Sequence, residues 1–462
     1  MKLKDLLIWV LGVERISRFN SHSYVTNAGK VVTNNAQELI VASSDELDSV
    51  RTFVSRNPEE RILFYNMKED ELNADDVELF NKVHDTFRSP SGMKAIYDEQ
   101  GNLRLFYDEK ADKPYDIFYV RETFEELPQG AFSLRQRVIT FLGPAAATKT
   151  TMAELWNMML CDTFMESPVI NIELGNRPGS PTFDKYCEIS KRFSDGQIPE
   201  RSHRGVEIQE TSYKVTYSNP TTGARVQSLL QIKDMAGEDW QNLAFDSYVL
   251  NENRIPVLVL PMNDIISKHE RQDYVNPLDK YLLNYAMKAE DARLIKGYEF
   301  TKPIFILSNF DLAHKNIRDP RIEEIWDCKS SLVRDGRIKL DRHKNGLVTE
   351  HIEHVSHDLL IPFLRDYAGS ILKRMEDICG GEEPIVFACA AVGEEPTKKG
   401  ENGFVYPDDF VPFNLDEPLL YLLNRDGMFL TDLKEKANSP KEESLWERML
   451  NFFKELHLEE IL

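Results

Sequence analysis

The chain has 462 residues, and 56 Lys+Arg against 77 Asp+Glu give it a formal net charge of −21. With 42% hydrophobic and 29% charged residues it has the apolar content for sizeable cores, which excludes wholesale disorder. The acid excess argues against a broad phosphate-backbone-binding surface, and no stretch reaches the roughly 18 to 20 apolar residues of a spanning helix, so neither a nucleic-acid partner nor a transmembrane segment is expected. Five cysteines (Cys161, Cys187, Cys328, Cys379 and Cys389) form no C-x-x-C pair, so a reducing, cytoplasmic compartment fits better than a disulfide framework.

At its start, Met1 to Val13 carries Lys2 and Lys4 before the apolar run Leu6 to Val13. Glu14 and Arg15 follow with no small-residue cleavage site, so the segment reads as a docking helix rather than a leader. Residues 1–133 are taken as this helix, extending to Phe19, plus a small acidic α+β region, with strands expected at Arg61 to Tyr65 and Ile117 to Val120. From Leu134 the character changes to an α/β layer fold with a largely parallel sheet, spanning residues 134–430. Strands are expected at Arg137 to Leu142, Ser167 to Ile172, Tyr213 to Tyr217, Val226 to Ile232, Ile255 to Leu260, Pro303 to Leu307 and Glu383 to Ala388. Helices are expected at Leu278 to Leu294 and His351 to Met375, and mobile loops at Arg334 to Gly346 and Glu395 to Asp408. Residues 431–462 read as a polar linker and an amphipathic helix from Glu442 to Leu462. The two terminal helices are the candidate surfaces for a protein effector or self-association.

Between the first strand and a helical pattern of Met152, Leu155, Trp156, Met159 and Leu160 lies Gly143-Pro144-Ala145-Ala146-Ala147-Thr148-Lys149-Thr150-Thr151. The phosphate-loop pattern G-x-x-x-x-G-K-[ST] is met at Gly143, Lys149 and Thr150, with Thr148 in place of the second Gly. Small side chains at a helix N-terminus let backbone N–H groups surround a phosphate, Lys149 would reach the outer phosphates, and Thr150 would place its hydroxyl on Mg²⁺. The strand Leu229 to Asp234 then runs into Asp234-Met-Ala-Gly237-Glu238, which matches D-x-x-G. Ser308-Asn309-Phe310-Asp311 is similar to [NT]-K-x-D with Asn309 at the Lys position, and Cys389-Ala390-Ala391 is similar to S-A-x.

Four elements in this order resemble a P-loop GTPase of the translation-factor-related (TRAFAC) class. The fold implied is the P-loop NTPase three-layer α/β fold with a mostly parallel sheet, here with the small N-terminal α+β region and a C-terminal helix. The resemblance implies guanine nucleotide (GTP/GDP) and Mg²⁺ as ligands. Asp234 would hold the ion through water, the Gly237 N–H would sense the γ-phosphate, Asn309 and Asp311 would meet the base, and the Ala390 N–H would contact the guanine carbonyl. Asp195 to Ser202 and Pro412 to Tyr421 are similar to the bacterial double-GTPase-type proteins of conflict and defence systems, in which Ser202 would be the switch residue on Mg²⁺. Hydrolysis would then draw on Lys149, on Glu238 where relatives place a water-orienting Gln, and on Arg201 (with His203 and Arg204) as a finger in cis. A slow GTPase acting as a molecular switch is the expected function; an ATP-using P-loop enzyme and a degenerate GTPase-fold scaffold are the alternatives. His351, His354 and His357, with Glu353 and Asp358 near, read as a polar helix face rather than a metal site.

Overall fold

A computed structural model gives the fold. It describes residues 23–26, 31–97, 103–128, 130–132, 134–144, 148–164, 170–175, 183–184, 187–188, 191, 209–218, 225–234, 254–266, 277–296, 302–327, 333–334, 337–338, 352–391, 398–400, 403–405 and 412–425. The terminal helices expected at Met1 to Phe19 and Glu442 to Leu462 lie outside the described residues.

A mixed seven-stranded sheet organises the molecule. Its members are β1 (Arg135–Leu142), β2 (Ile170–Leu174), β3 (Gln209–Ser218), β4 (Arg225–Asp234), β5 (Arg254–Pro261), β6 (Ile304–Ser308) and β7 (Val386–Ala388). Their spatial order is β7-β6-β5-β1-β4-β3-β2. The pairs β4·β1, β5·β1, β5·β6 and β6·β7 are parallel, whereas β3 runs antiparallel to both β4 and β2. The expected largely parallel sheet is therefore present. The two long antiparallel partners β3 and β4 flank the Asn219-Pro-Thr-Thr-Gly223 turn dipeptides read from sequence.

The central strands are near-continuous apolar runs because both of their faces are covered. Val138, Ile139, Phe141 and Leu142 of β1 are all buried. One face, through Ile139, Phe141, Val257, Val259 and Ile306, packs on α1 (Lys149–Phe164). The other, through Leu258, Leu260, Phe305 and Leu307, packs on α2 (Met262–Ile266), α3 (Pro277–Lys296), α4 (Phe310–Asn316), α5 (Pro320–Asp327), α6 (Ile361–Tyr367) and α7 (Gly369–Ile378). A last helix, α8 (Asp416–Arg425), returns to the α1 side through Leu419, Leu422 and Leu423. Helices on both faces of one sheet make a three-layer α/β arrangement.

The N-terminal region has its own aromatic core, with Phe53 against Phe64, Phe87 and Phe124 at ring separations of 5.8, 5.3 and 5.3 Å. A second N-terminal cluster, containing Tyr24, Phe106 and Phe132, takes in Leu229 of β4. A buried hydrogen-bond chain reinforces that contact. Gln136 Nε2 donates to Gln231 Oε1 at 2.5 Å, and Gln231 Nε2 donates to the Tyr24 hydroxyl at 2.6 Å and to Ser212 Oγ at 3.1 Å.

Several expected elements change on folding. Ile117–Val120 is a strand, paired with Leu39–Ala42. Arg61 to Tyr65, read as a strand, lies instead in a helix, Pro58–Asn66. Asn57 caps it: its Oδ1 accepts from Glu60 N–H at 2.8 Å, its Nδ2 donates to Glu60 Oε1 at 2.8 Å, and Pro58 sits at the first turn. Of the strand expected at Ser167 to Ile172 the described part is Ile170–Leu174, and residues 167–169 lie outside the described residues. The helical stretch expected over His351 to Met375 contains a π-helical segment, His354–Leu360, and breaks at Ala368, whose φ of −148° and ψ of 46° interrupt the spiral. At the start of the first expected loop Val333–Arg334 pairs with Arg337–Ile338, and within the second Lys398–Gly400 pairs with Gly403–Val405, both antiparallel. Among the described residues no helix is long and apolar enough to cross a membrane.

Candidate functional site

Five parallel strands end on one edge of the sheet, and Gly143, Asp234, Pro261, Asn309 and Cys389 are the residues that end or follow them. The chain leaves β1 toward β4 on one side and later returns to β5 on the other. That makes the C-terminal end of β1 the topological switch point, where open α/β sheets form their binding crevice. The Gly143 to Thr151 segment starts there.

Gly143 is dictated by packing. A Cβ at this position would sit 2.3 Å from the Val259 carbonyl oxygen of the neighbouring strand and 3.3 Å from Lys149 Cδ. Thr148 has a φ of 58°, the left-handed conformation that disfavours a β-branched residue. It thus holds, with a Cβ, the backbone geometry that Gly supplies at the matching place of the motif. Its carbonyl accepts from Met152 N–H at 3.0 Å, which opens α1. Lys149, Thr150 and Thr151 form the first turn of that helix.

Lys149 is buried, and its Nζ donates to the Pro144 carbonyl at 2.8 Å, so the side chain folds back across its own loop. Thr150 Oγ1 donates to Asp234 Oδ2 at 2.5 Å. A hydroxyl and a carboxylate 84 positions apart in sequence are thus in contact beside the loop. They are hard oxygen donors, the chemistry that suits Mg²⁺, which binds through few protein oxygens and takes its remaining ligands from phosphate and water. Among the described residues no group of three or more His, Cys, Asp or Glu side chains could hold an ion by itself.

Farther along the same edge, Asn309 adopts a left-handed conformation, φ 58° and ψ 39°, ahead of α4. Asp311 follows in its first turn and is nine-tenths buried. This turn is stitched to the one after β7: Phe310 N–H donates to the Cys389 carbonyl at 3.1 Å, and Cys389 N–H to the Leu307 carbonyl at 2.9 Å. Burial pushes the Cys389 thiol well above its usual pKa, helped by nearby Glu417 and Asp416, so it is a packed, protonated group. Ala390, expected to face a base carbonyl, has its N–H on the Phe413 carbonyl at 3.1 Å.

The expected residues Gly143, Pro144, Thr148, Lys149, Thr150, Thr151, Asp234, Asn309, Asp311 and Ala390 therefore share one sheet edge. Ala145, Ala146, Ala147, Arg201, Ser202, Gly237 and Glu238 lie outside the described residues. His354 and His357 do not join this edge. His354 Nδ1 pairs with Asp358 at 2.8 Å, and His357 Nδ1 lies 2.9 Å from Glu383.

Sequence reading assigned no role to Pro412 to Leu415 beyond a family likeness. In the structure this stretch ties α1 to the turn after β7: the Trp156 indole N–H of α1 donates to the Leu415 carbonyl at 2.8 Å, and Phe413 bridges to Ala390. Only the apolar Phe413 and Leu415 hinted at burial. No protein-family model matches the chain, and no curated protein matches its sequence.

Proposed function

We propose that this chain is a guanine-nucleotide-binding P-loop protein of the TRAFAC-like kind, a slow Mg²⁺-dependent GTPase that serves as a molecular switch. The observation that carries the reading is the contact between Thr150 and Asp234 beside Gly143, Thr148 and Lys149 at the switch point of the sheet. The strand order, with β1 central and Asp234 ending the adjacent parallel strand, supports the three-layer P-loop fold.

In this reading the opening turn of α1 directs its N–H groups and dipole at a phosphate. Lys149 swings from the Pro144 carbonyl to the outer phosphate oxygens. Thr150 and Asp234 would hold Mg²⁺, which would supply charge neutralisation for the phosphates. Asp311 accepts the two N–H donors of the guanine edge, a pattern adenine lacks. Catalysis would rest on positioning and charge neutralisation; Arg201, Glu238 and Ser202 remain candidates from sequence for orienting water and closing the first switch, and a place in a bacterial defence system follows from family analogy alone. A GTPase-fold scaffold without turnover is the second reading, favoured by the Lys149–Pro144 contact, which ties the phosphate-binding cation to its own loop.

Equilibrium binding of labelled GTP, GDP and ATP with Mg²⁺ separates these. Guanine-selective binding that is lost in Lys149→Ala and loses its selectivity in Asp311→Ala is the expected result. A folded protein that binds none of the three would leave the scaffold.

A further inference from the structure

The buried segment Phe413-Asn414-Leu415 is tied to both halves of the candidate site. Its three successive carbonyls all accept hydrogen bonds. Phe413 takes the Ala390 N–H at 3.1 Å, Asn414 takes the Cys389 thiol at 3.3 Å, and Leu415 takes the Trp156 indole N–H at 2.8 Å. Phe413 N–H also donates back to the Ala390 carbonyl at 2.9 Å. Ala390 and Cys389 form the turn after β7, whereas Trp156 belongs to α1, the helix that opens at Lys149.

The side chains of the segment divide between the two faces of the sheet. In an extended chain, residues two apart share a face. Here Phe413 joins the cluster under α2 to α7, and Leu415 joins the cluster under α1. Asn414 between them accounts for the difference: its φ of 50° is left-handed, a conformation that Asn tolerates better than most residues. On its own side, the Phe413 ring lies nearly parallel to Phe310 and Trp326, at centroid distances of 5.6 and 4.7 Å. Phe310 begins α4 directly after Asn309, so this ring packs against the turn after β6 while its backbone holds the turn after β7. One short segment therefore joins both of these turns to the helix of the phosphate loop.

We propose that Phe413 is a positioning residue: with Leu415 and Trp156 it sets the turns after β6 and β7 against α1, so that the part of the crevice that meets the base keeps a fixed place relative to the part that meets the phosphates. This rests on the guanine-nucleotide reading and adds to it residues that act through their neighbours. Base reading is the property most sensitive to the frame, because hydrogen bonds to a base edge weaken steeply with misalignment. The phosphate loop, by contrast, lies within one stretch of chain, Gly143 to Thr151.

The test is competition against labelled GDP by GTP, inosine triphosphate and ATP, on the full chain with Mg²⁺. GTP and inosine triphosphate share ribose and phosphates and differ by the two-amino group. The ratio of their affinities therefore reports the base edge and is not moved by a uniform loss of stability. Phe413→Leu keeps an apolar side chain but removes the ring stack. Trp156→Phe keeps a ring beside Phe141 but removes the donor to Leu415. Both variants are expected to narrow the wild-type preference for GTP over inosine triphosphate by about threefold or more, with the affinity for inosine triphosphate within about twofold of wild type. An unchanged ratio in either variant, or equal weakening of both nucleotides, would overturn the assignment and leave guanine binding standing. So would a wild type that binds GTP and inosine triphosphate equally well but rejects ATP. If ATP competes with the wild type as well as GTP does, or no nucleotide competes, the guanine reading fails and this inference falls with it.

Discussion

At the scale of single residues, the site is set by backbone sterics. Gly143 has no room for a methyl group because the Val259 carbonyl belongs to a strand hydrogen-bonded on both sides and cannot give way. Gly143→Ala is expected to destabilise the protein by about 2 kcal/mol and to displace the loop. Urea unfolding and Mg²⁺-nucleotide affinity should both fall; an unchanged urea midpoint would sink the argument. Thr148 is the converse case. A β-branched residue with φ 58° stores strain that Gly does not feel. Thr148→Gly should stabilise by about 1 kcal/mol, since relief of the left-handed strain outweighs the added chain freedom of Gly. Nucleotide affinity should rise with it if the Cβ also stands near the phosphate.

At the scale of elements, caps and ion pairs decide boundaries. The run Arg61 to Tyr65 is apolar enough for a strand, and periodicity alone does not separate a short buried strand from a helical segment. Asn57-Pro58-Glu59-Glu60 before it carries a cap, a first-turn proline and a return hydrogen bond, and these local preferences place it in a helix with Phe64 buried and Leu63 exposed. Asn57→Ala should therefore cost about 1 kcal/mol, read as a lowered melting temperature of the N-terminal region. The π-helical turn offers a pH-dependent example. Asp358, hydrogen-bonded to His354, and Glu324 beside it hold the imidazole pKa above its usual value. A raised folded pKa gives stability that is fully present below about pH 6.5 and fades as pH rises through the higher folded value. Melting temperatures of wild type and His354→Gln should differ most at the acid end and converge above it. The groups are half-exposed, so the difference should be small.

At the scale of the whole molecule, the N-terminal region is fastened to the strands that lead into the site. Gln231 is buried on the face of β4 opposite Ile232; its bond to Tyr24 crosses between the region and the sheet, while those to Gln136 and Ser212 tie it to the neighbouring strands β1 and β3. Asp234 lies three residues on along the same strand. Gln231→Leu leaves the Gln136 amide and the Tyr24 hydroxyl without this partner. It should cost about 2 kcal/mol and expose the link between region and sheet to limited proteolysis. Cleavage at the wild-type rate would show that the apolar contact through Leu229 holds the two together without the network.

Much of the site was legible because it is local. The spacing from Gly143 to Lys149 and Thr150, a strand before it and a helix after it, and a carboxylate closing a strand at Asp234 are all read from neighbours in sequence, where backbone preference and side-chain size act over a few residues. Even the left-handed turn at Thr148 falls where the motif calls for Gly. The long-range pairings were not legible. That Thr150 meets Asp234, that Leu415 caps the Trp156 indole, and that the Phe413 carbonyl takes the Ala390 N–H depend on strand order and register, which no segment encodes by itself. Neither does any segment encode the fastening of Tyr24 to Gln231 across 207 positions. Sequence by itself determined most of the elements of the sheet and the residue types along its edge; the tertiary structure decided which donors meet which acceptors, because hydrogen-bond partners are assigned only once the sheet fixes the ends of its strands side by side.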